Sequence, residues 1–236
     1  MNYFQKQLLW ILVYAISMAM LEAAVVIYLR FLFYPDPQLL FPIQPMPALI
    51  IRVEVFREIA TLLMLAGIAF VSAKSFWSRF GVFLLSFGIW DIFYYVFLKV
   101  FLNWPAGLLD WDVLFLLPVP WFGPVITPCL IAMLMVFWGG LLFYHERHPQ
   151  YLAPNRYETA LLLSGTAMAL AAFMWDAISL LFRGDVQWNE PNMLGDMPQF
   201  IPEQFQWPVF LIGYLLMCLG VLLQTRRLRL YGSLVV

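Results

Sequence analysis

Apolar residues along this chain form long uninterrupted blocks, separated by short polar segments. Each of six blocks is close to the roughly 20 residues that a membrane-spanning helix needs. The blocks cover about residues 7–30, 52–73, 79–101, 122–144, 157–182 and 208–225. The pattern predicts an all-α fold, a polytopic transmembrane helical bundle whose spans pair into three helical hairpins. We expect a single transmembrane domain over residues 1–236, because no long polar region divides the chain.

The segment between spans three and four, residues 103–120, breaks the regularity. It contains the apolar run 113–117, which is too short to cross a bilayer. Prolines at three positions interrupt any helix there, namely Pro118, Pro120 and Pro124. We expect a short interfacial or re-entrant segment. Three tryptophans suit the headgroup level, Trp104, Trp111 and Trp121.

The amino-acid composition also indicates a membrane protein. Of the 236 residues 64% are hydrophobic and 11% are charged, far fewer than the roughly 25% charged residues of soluble chains. The lipid bilayer is therefore the expected partner. A net charge of −1 gives no basic surface for nucleic-acid phosphates, so we expect no nucleic-acid binding. Cys129 and Cys218 both lie in apolar runs, where a thiol acts as a small hydrophobic group.

Basic residues in the loops predict the orientation. They concentrate in the first, third, fifth and last polar segments and are absent from the three loops between those segments. By the positive-inside rule, the basic side faces the cytoplasm and both termini are cytoplasmic. The residues are Lys6, Lys74, Arg79, Arg147, Arg156, Arg226, Arg227 and Arg229.

Span two opens with four ionisable residues within seven positions. Helical spacing places Glu54, Glu58 and Thr61 on one face, and Arg57 lies three residues from Glu54, within pairing distance. Ionisable groups at membrane depth are costly unless they face the bundle interior, a partner or water. This face of span two is therefore a candidate functional surface.

The odd-numbered spans each carry an acidic residue in their outer half and end with a basic one. Arg30, Lys99 and Arg183 close these spans and are expected to snorkel to the interface. Together with span two and residues near Asp91, these acids predict an outward-facing, net-negative polar site. Its candidate residues are Glu22, Glu54, Arg57, Glu58, Asp91, Tyr95, Asp112 and Asp176. A competing interpretation is that the charges only hold the helices together as ion pairs.

Several chemistries are disfavoured. His145 and His148 share one polar loop, which leaves no histidine for haem, zinc or a nucleophilic catalytic site within the membrane. No catalytic residue and no cofactor is predicted. Glu54 and Glu58 leave one alternative open, a site for a divalent cation held by carboxylates. Gly139 and Gly140 indicate close helix packing.

Four segments carry a resemblance to a family. They are Glu22-Ala-Ala-Val-Val-Ile-Tyr-Leu-Arg30, Arg57-Glu58-Ile-Ala-Thr-Leu, Trp90-Asp91-Ile-Phe-Tyr-Tyr, and the stretch from Trp111-Asp112 through Pro-Val-Pro-Trp121-Phe-Gly-Pro124. In these the chain resembles uncharacterised small bacterial multi-span proteins of the inner membrane. The resemblance covers spans one to four and implies a six-helix fold in the bacterial inner, cytoplasmic membrane. It implies no activity.

Three functions stay open from the sequence. The first is a transporter or channel component that handles protons or small cations at the carboxylate site. The second is a non-catalytic subunit or assembly factor of a larger membrane complex, with other membrane subunits docking on the loop 184–207. The third is an intramembrane enzyme acting on a lipid or isoprenoid at the outer leaflet, so the sequence does not decide whether the chain is an enzyme.

Overall fold

The computed structural model of this chain describes residues 3–146, 149–183, 200–202 and 204–234. Within them lie six long helices, one short 3-10 turn and a two-stranded antiparallel sheet. The elements are α1 (Tyr3–Phe33), α2 (Ala48–Ser72), α3 (Phe76–Leu102), β1 (Trp111–Phe115), β2 (Trp121–Pro124), α4 (Ile126–Tyr144), the turn Pro149–Tyr151, α5 (Arg156–Arg183) and α6 (Trp207–Leu234).

All six helices are long and apolar enough to cross a membrane, so the chain is an integral membrane protein and the prediction of six spans is confirmed. Most helix limits differ from the sequence pattern by a few residues, and two of the differences have a clear structural reason. The helix α4 begins at Ile126 because the preceding residues, Trp121–Pro124, pair as β2. The helix α6 continues to Leu234, because basic residues such as Arg227 end the apolar run without ending a helix.

The helices form two packed groups. α3 is the centre of the first group and packs on α1, α2 and α4, whereas α1 and α2 make only slight contact with each other. The second group is the antiparallel pair α5 and α6. The groups meet through a light contact between α4 and α6 and through β2, which packs on α5. The bundle therefore has a seam between its two halves.

Glycines set the close approach of neighbouring helices. A methyl group on Gly88 of α3 would lie 2.5 Å from the carbonyl oxygen of Ala132 in α4. One on Gly165 of α5 would lie 2.5 Å from the carbonyl oxygen of Gly213 in α6. Small residues let backbones approach to this distance, which is how helices gain packing energy in lipid.

The strands β1 and β2 form a β-hairpin that reaches down among the helices. Its backbone N–H at Leu116 donates to Glu58, which lies ten residues, or about 15 Å, below the start of α2. The side chains of Asp112 and Phe122 are buried. Irregular backbone at such depth requires protein around it, and here α1, α2, α3 and α5 supply it. We call the end of the bundle that contains this hairpin the β-hairpin end.

The opposite end, where α1 begins and α6 ends, is the terminus end. Asn155 caps α5 there by accepting the N–H groups of Tyr157 and Glu158, and Glu158 accepts the N–H of Asn155, a capping box. The same Glu158 pairs with Arg227 of α6 at 2.9 Å. Because Glu158 is 1% exposed, this ion pair ties α5 to α6.

Candidate functional site

Arg57 of α2 joins two carboxylates from two helices. Its Nε and Nη2 lie 2.9 Å and 2.7 Å from Glu54 Oε2, and its Nη1 pairs with Glu22 Oε1 on α1. The hydroxyl of Thr61 donates to Glu22 Oε2 at 3.2 Å. The predicted pairing of Arg57 with Glu54 is confirmed, and so is the shared buried face of Glu54, Glu58 and Thr61.

Glu58 binds the β-hairpin rather than a neighbouring acid or base. Both of its carboxylate oxygens lie 3.0 Å from the backbone N–H of Leu116, and the residue is 5% exposed. Arg57 lies within electrostatic range without a direct contact. Among the described residues, a single amide therefore supplies the hydrogen bonding of this buried carboxylate, which leaves most of its acceptor capacity free there.

Asp112 of β1 is the most enclosed acid of the site, at 2% exposed. The Tyr95 hydroxyl donates to its Oδ2 at 2.9 Å, and Arg30 Nη2 lies 3.7 Å from its Oδ1. Burial raises the pKa of Asp112 to about 6, while the positive charge of Arg30 and the Tyr95 hydrogen bond oppose this rise.

Arg30 departs from the prediction that it snorkels to the interface. It is 2% exposed, and its guanidinium stacks 3.9 Å above the ring of Trp104. Its Nε and Nη1 have no hydrogen-bond partner among the described residues. Lys99 and Arg183, the other two residues of that prediction, are exposed. Arg30 turns inward because Asp112, eighty-two positions later in the chain, attracts it.

Tyr94 and Asp91 connect these contacts into one network. Tyr94 interacts electrostatically with Arg57 on one side and with Arg30, Asp112 and Asp91 on the other. Asp91 also interacts with Asp112. We call this network the polar cluster; its members are Glu22, Arg30, Glu54, Arg57, Glu58, Thr61, Asp91, Tyr94, Tyr95 and Asp112. It contains seven of the eight candidate residues.

Asp176, the eighth candidate, lies apart on α5. Its electrostatic partner in the described part of the chain is Arg183, seven residues along the same helix. The Ser179 hydroxyl binds the backbone carbonyl of Asp176 rather than its side chain. The depth of Asp176 in its span resembles that of Asp91, but depth alone does not bring a residue to the cluster, because α5 belongs to the other half of the bundle.

The carboxylates do not converge as metal ligands. Among the residues that the structure describes, no three His, Cys, Asp or Glu side chains are placed to hold a metal ion. Glu54 faces Arg57 and Glu58 faces the Leu116 amide, so the two glutamates have different partners. Of the loop expected to dock a partner, residues 184–199 and 203 lie outside the described residues, while Phe205 and Trp207 pack on Phe210.

Three members of the cluster were not among the candidate site residues, Arg30, Thr61 and Tyr94. Each had a signal in the sequence. Arg30 follows Glu22 by two helical turns, Thr61 shares the face of Glu54 and Glu58, and Tyr94 follows Asp91 by one turn. Comparisons with protein-family models, curated proteins and solved structures gave no match. Function is therefore inferred from the chemistry of the cluster itself.

Proposed function

We propose that this protein handles protons or small cations at the polar cluster, as a component of a transporter or channel. The observation that carries this proposal is an imbalance of charge. The cluster brings together five carboxyl groups, Glu22, Glu54, Glu58, Asp91 and Asp112, but only two guanidinium groups, Arg30 and Arg57. Fully ionised, it would carry a surplus of three negative charges.

A surplus of this size is not stable in a buried site. An uncompensated carboxylate away from water costs several kcal/mol, and the cost grows when another carboxylate is near. Such a group either takes up a proton or attracts a cation. A structural role as mutual ion pairs explains Glu22, Glu54 and Arg57. It leaves Asp112 with the single distant guanidinium of Arg30, and Glu58 and Asp91 have no direct ion pair among the described residues.

The cluster also extends along the helix axes. Glu54 lies six residues, or about 9 Å, below the start of α2, and Asp91 lies eleven residues, or about 16 Å, below the end of α3. Tyr94 and Tyr95, about one turn along α3 from Asp91, add hydroxyl groups to this series. A row of titratable groups reaching inward from one side is the arrangement that proton and ion pathways use.

Between Asp91 and the terminus end, the described part of α3 is mostly apolar. Its serines are already engaged, Ser86 with the Phe83 carbonyl and Ser78 with Ser75. At the terminus end the buried acid Glu158 is neutralised by Arg227. The chain therefore supplies half of a pathway, and this is why we propose a component rather than a complete transporter.

We further propose that the β-hairpin end faces outward, in a bacterial inner membrane with both termini in the cytoplasm. The support is the location of basic residues. Lys6, Lys74, Arg79 and Arg227 all lie at the terminus end, which the positive-inside rule assigns to the cytoplasm. A site at the opposite end then faces the periplasm.

The test is proton and cation flux in proteoliposomes that contain the chain together with the membrane proteins that co-purify with it. We expect Asp91→Asn and Glu58→Gln each to lower flux about tenfold or more, because an amide neither carries nor releases a proton. Asp176→Asn is the matched control: it removes a carboxylate in the same half of the membrane but outside the cluster, and flux should be unchanged. Each variant is first shown to elute as a folded particle. If the flux of all three variants then equals that of the native chain, the proposal is contradicted.

A further inference from the structure

A cavity of about 310 Å³ lies between α3, α4 and α5, and the β-hairpin and one residue of α6 complete its walls. Its lining is almost entirely apolar and aromatic. Among the described residues that line it, Asp91 of α3 is the only charged one. The hydroxyl of Thr166, which also lines the cavity, is already engaged with the sulfur of Met217 at 3.5 Å. The polarity of the cavity therefore resides in one carboxyl group.

The carboxyl group of Asp91 is unpartnered and opens into this cavity. Among the described residues it accepts no hydrogen bond and makes no ion pair, yet its oxygens are not fully enclosed. Because Asp91 lies deep in the bundle and is only half-buried, its accessible surface faces an internal space. The carboxyl group acts electrostatically on Cys129 of α4 and Asp112 of β1. Cys129 adjoins Pro128, and Asp112 shares a strand face with Leu114; both Pro128 and Leu114 line the cavity.

The rest of the lining is rich in aromatic rings. Seven of the lining residues are phenylalanine or tryptophan. Three of them form a continuous wall from the hairpin to α5: the ring centroids of Phe115 and Trp121 are 5.4 Å apart, and those of Trp121 and Phe173 are 6.1 Å apart. Aromatic faces attract organic cations, and quaternary ammonium groups in particular. The lining therefore combines a free negative charge with rings that favour a positive one.

This combination favours an organic cation over a metal ion. Ca²⁺ and Mg²⁺ need several oxygen ligands, whereas the described lining offers a single carboxyl group. An organic cation carries its charge beneath apolar groups, so it gains contacts with the apolar walls as well as with Asp91. A neutral apolar molecule would gain the same wall contacts but would leave the carboxyl group unpaired.

The volume of the cavity limits the size of the cation. At the roughly 30 Å³ that one water molecule occupies in the liquid, 310 Å³ corresponds to about ten non-hydrogen atoms. Access is available from the side, because α3 and α5 make little contact in the part of the chain that the structure describes. A small cation with an apolar body fits both limits.

We propose that this cavity binds an organic monocation of about ten non-hydrogen atoms, with its charge paired to Asp91 and its apolar groups against the aromatic wall. The inference goes beyond the proposed function and does not rest on it. Equilibrium binding of such a cation requires neither flux nor the glutamates of the polar cluster.

The test is equilibrium binding of tritiated phenyltrimethylammonium to the full chain in nanodiscs, with empty nanodiscs as background. Its matched probe is tert-butylbenzene, which has the same shape and no charge. We expect saturable binding of one cation per chain, displaced by unlabelled phenyltrimethylammonium but not by the same concentration of tert-butylbenzene. No saturable binding, or equal displacement by the two compounds, overturns the proposal.

Two variants locate the site. Asp91→Asn keeps the shape of the side chain and removes its charge, so it should weaken binding about tenfold or more. Asp176→Asn is the matched control, because it removes a carboxyl group that does not line the cavity, and binding should be unchanged. Binding that Asp91→Asn leaves at the native level overturns the proposal.

A filling variant tests the cavity itself. Leu170→Trp places a larger side chain in the lining and should abolish binding. Leu63→Trp makes the same change at a residue of α2 that is 66% exposed, so binding should stay intact. Glu58→Gln separates this inference from the proposed function, because it should lower flux while leaving cation binding unchanged. A native chain that supports flux but binds no organic cation overturns this inference alone.

Discussion

Arg57 and Arg30 neutralise negative charge to different degrees. The planar fork of Arg57 hydrogen-bonds Glu54 and pairs with Glu22, so each of its three side-chain nitrogens lies close to a carboxylate. Arg30 has one distant carboxylate, Asp112 at 3.7 Å, and the face of Trp104. Unneutralised negative charge therefore accumulates around Asp112, and this is where protons or cations are most needed.

Asp112 gives the first prediction at this scale. Burial raises its pKa from 3.8 to about 6, so the folded chain holds this proton more tightly than the unfolded chain does. The contribution of Asp112 to the free energy of unfolding therefore falls as the pH rises from about 4 through about 6. Relative to Asp112→Asn, which has no proton to lose, the melting temperature of the native chain in detergent should fall across that interval.

Thermal melts of the two chains in parallel pH series check this. The other titratable groups that face Asp112 are present in both chains, so their titration largely cancels in the difference. They are Arg30, Tyr34, Asp91, Tyr94, Tyr95 and Cys129. A difference in melting temperature that stays constant with pH would show that Asp112 does not titrate there.

At the scale of elements, two adjacent glycines of α4 have opposite roles. A methyl group on Gly139 would lie 2.5 Å from the backbone nitrogen of Leu85 in α3, and closer still to the carbonyl of Gly81. A methyl group on Gly140 would have nothing within 4 Å. The sequence pair predicted close packing, and the structure assigns that packing to Gly139 alone. The contact holds α3, which carries Asp91 and both tyrosines of the cluster.

The second prediction compares these neighbours directly. Gly139→Ala should destabilise the chain by about 1–3 kcal/mol, because the added methyl group forces α3 and α4 apart. Gly140→Ala should be neutral or stabilising by up to about 1 kcal/mol, since alanine favours helix and meets no neighbour. Melting temperatures in one detergent suffice to test it, and equal effects of the two substitutions would refute the assigned contact.

Elements with local signals were predictable from the sequence, and those with distant partners were not. The buried face of α2 follows from the spacing of Glu54, Glu58 and Thr61 within one helix, which needs no knowledge of the rest of the chain. The strand pairing of Trp111–Phe115 with Trp121–Pro124 did not follow, because prolines and an apolar run equally describe an irregular segment. Asp176 was grouped by depth, and depth carries no information about which helices are neighbours.

At the scale of the whole molecule, α3 contributes to two different environments. The polar cluster joins α3 to α1, α2 and the β-hairpin, and an apolar cavity of about 310 Å³ is lined mainly by α3, α4 and α5. Asp91 belongs to both. Asp91 is therefore the carboxyl group of the cluster that also lines the cavity.

The central claim is that the surplus negative charge of the polar cluster is neutralised by protons or small cations. Infrared absorption of the chain in membranes at neutral pH tests it directly, because protonated and ionised carboxyl groups absorb separately. We predict an absorption band from protonated carboxyl groups, either in the presence of small cations or after their removal. This band should weaken in Glu58→Gln and in Asp91→Asn. A spectrum in which every carboxyl group stays ionised, with and without cations, would contradict the account.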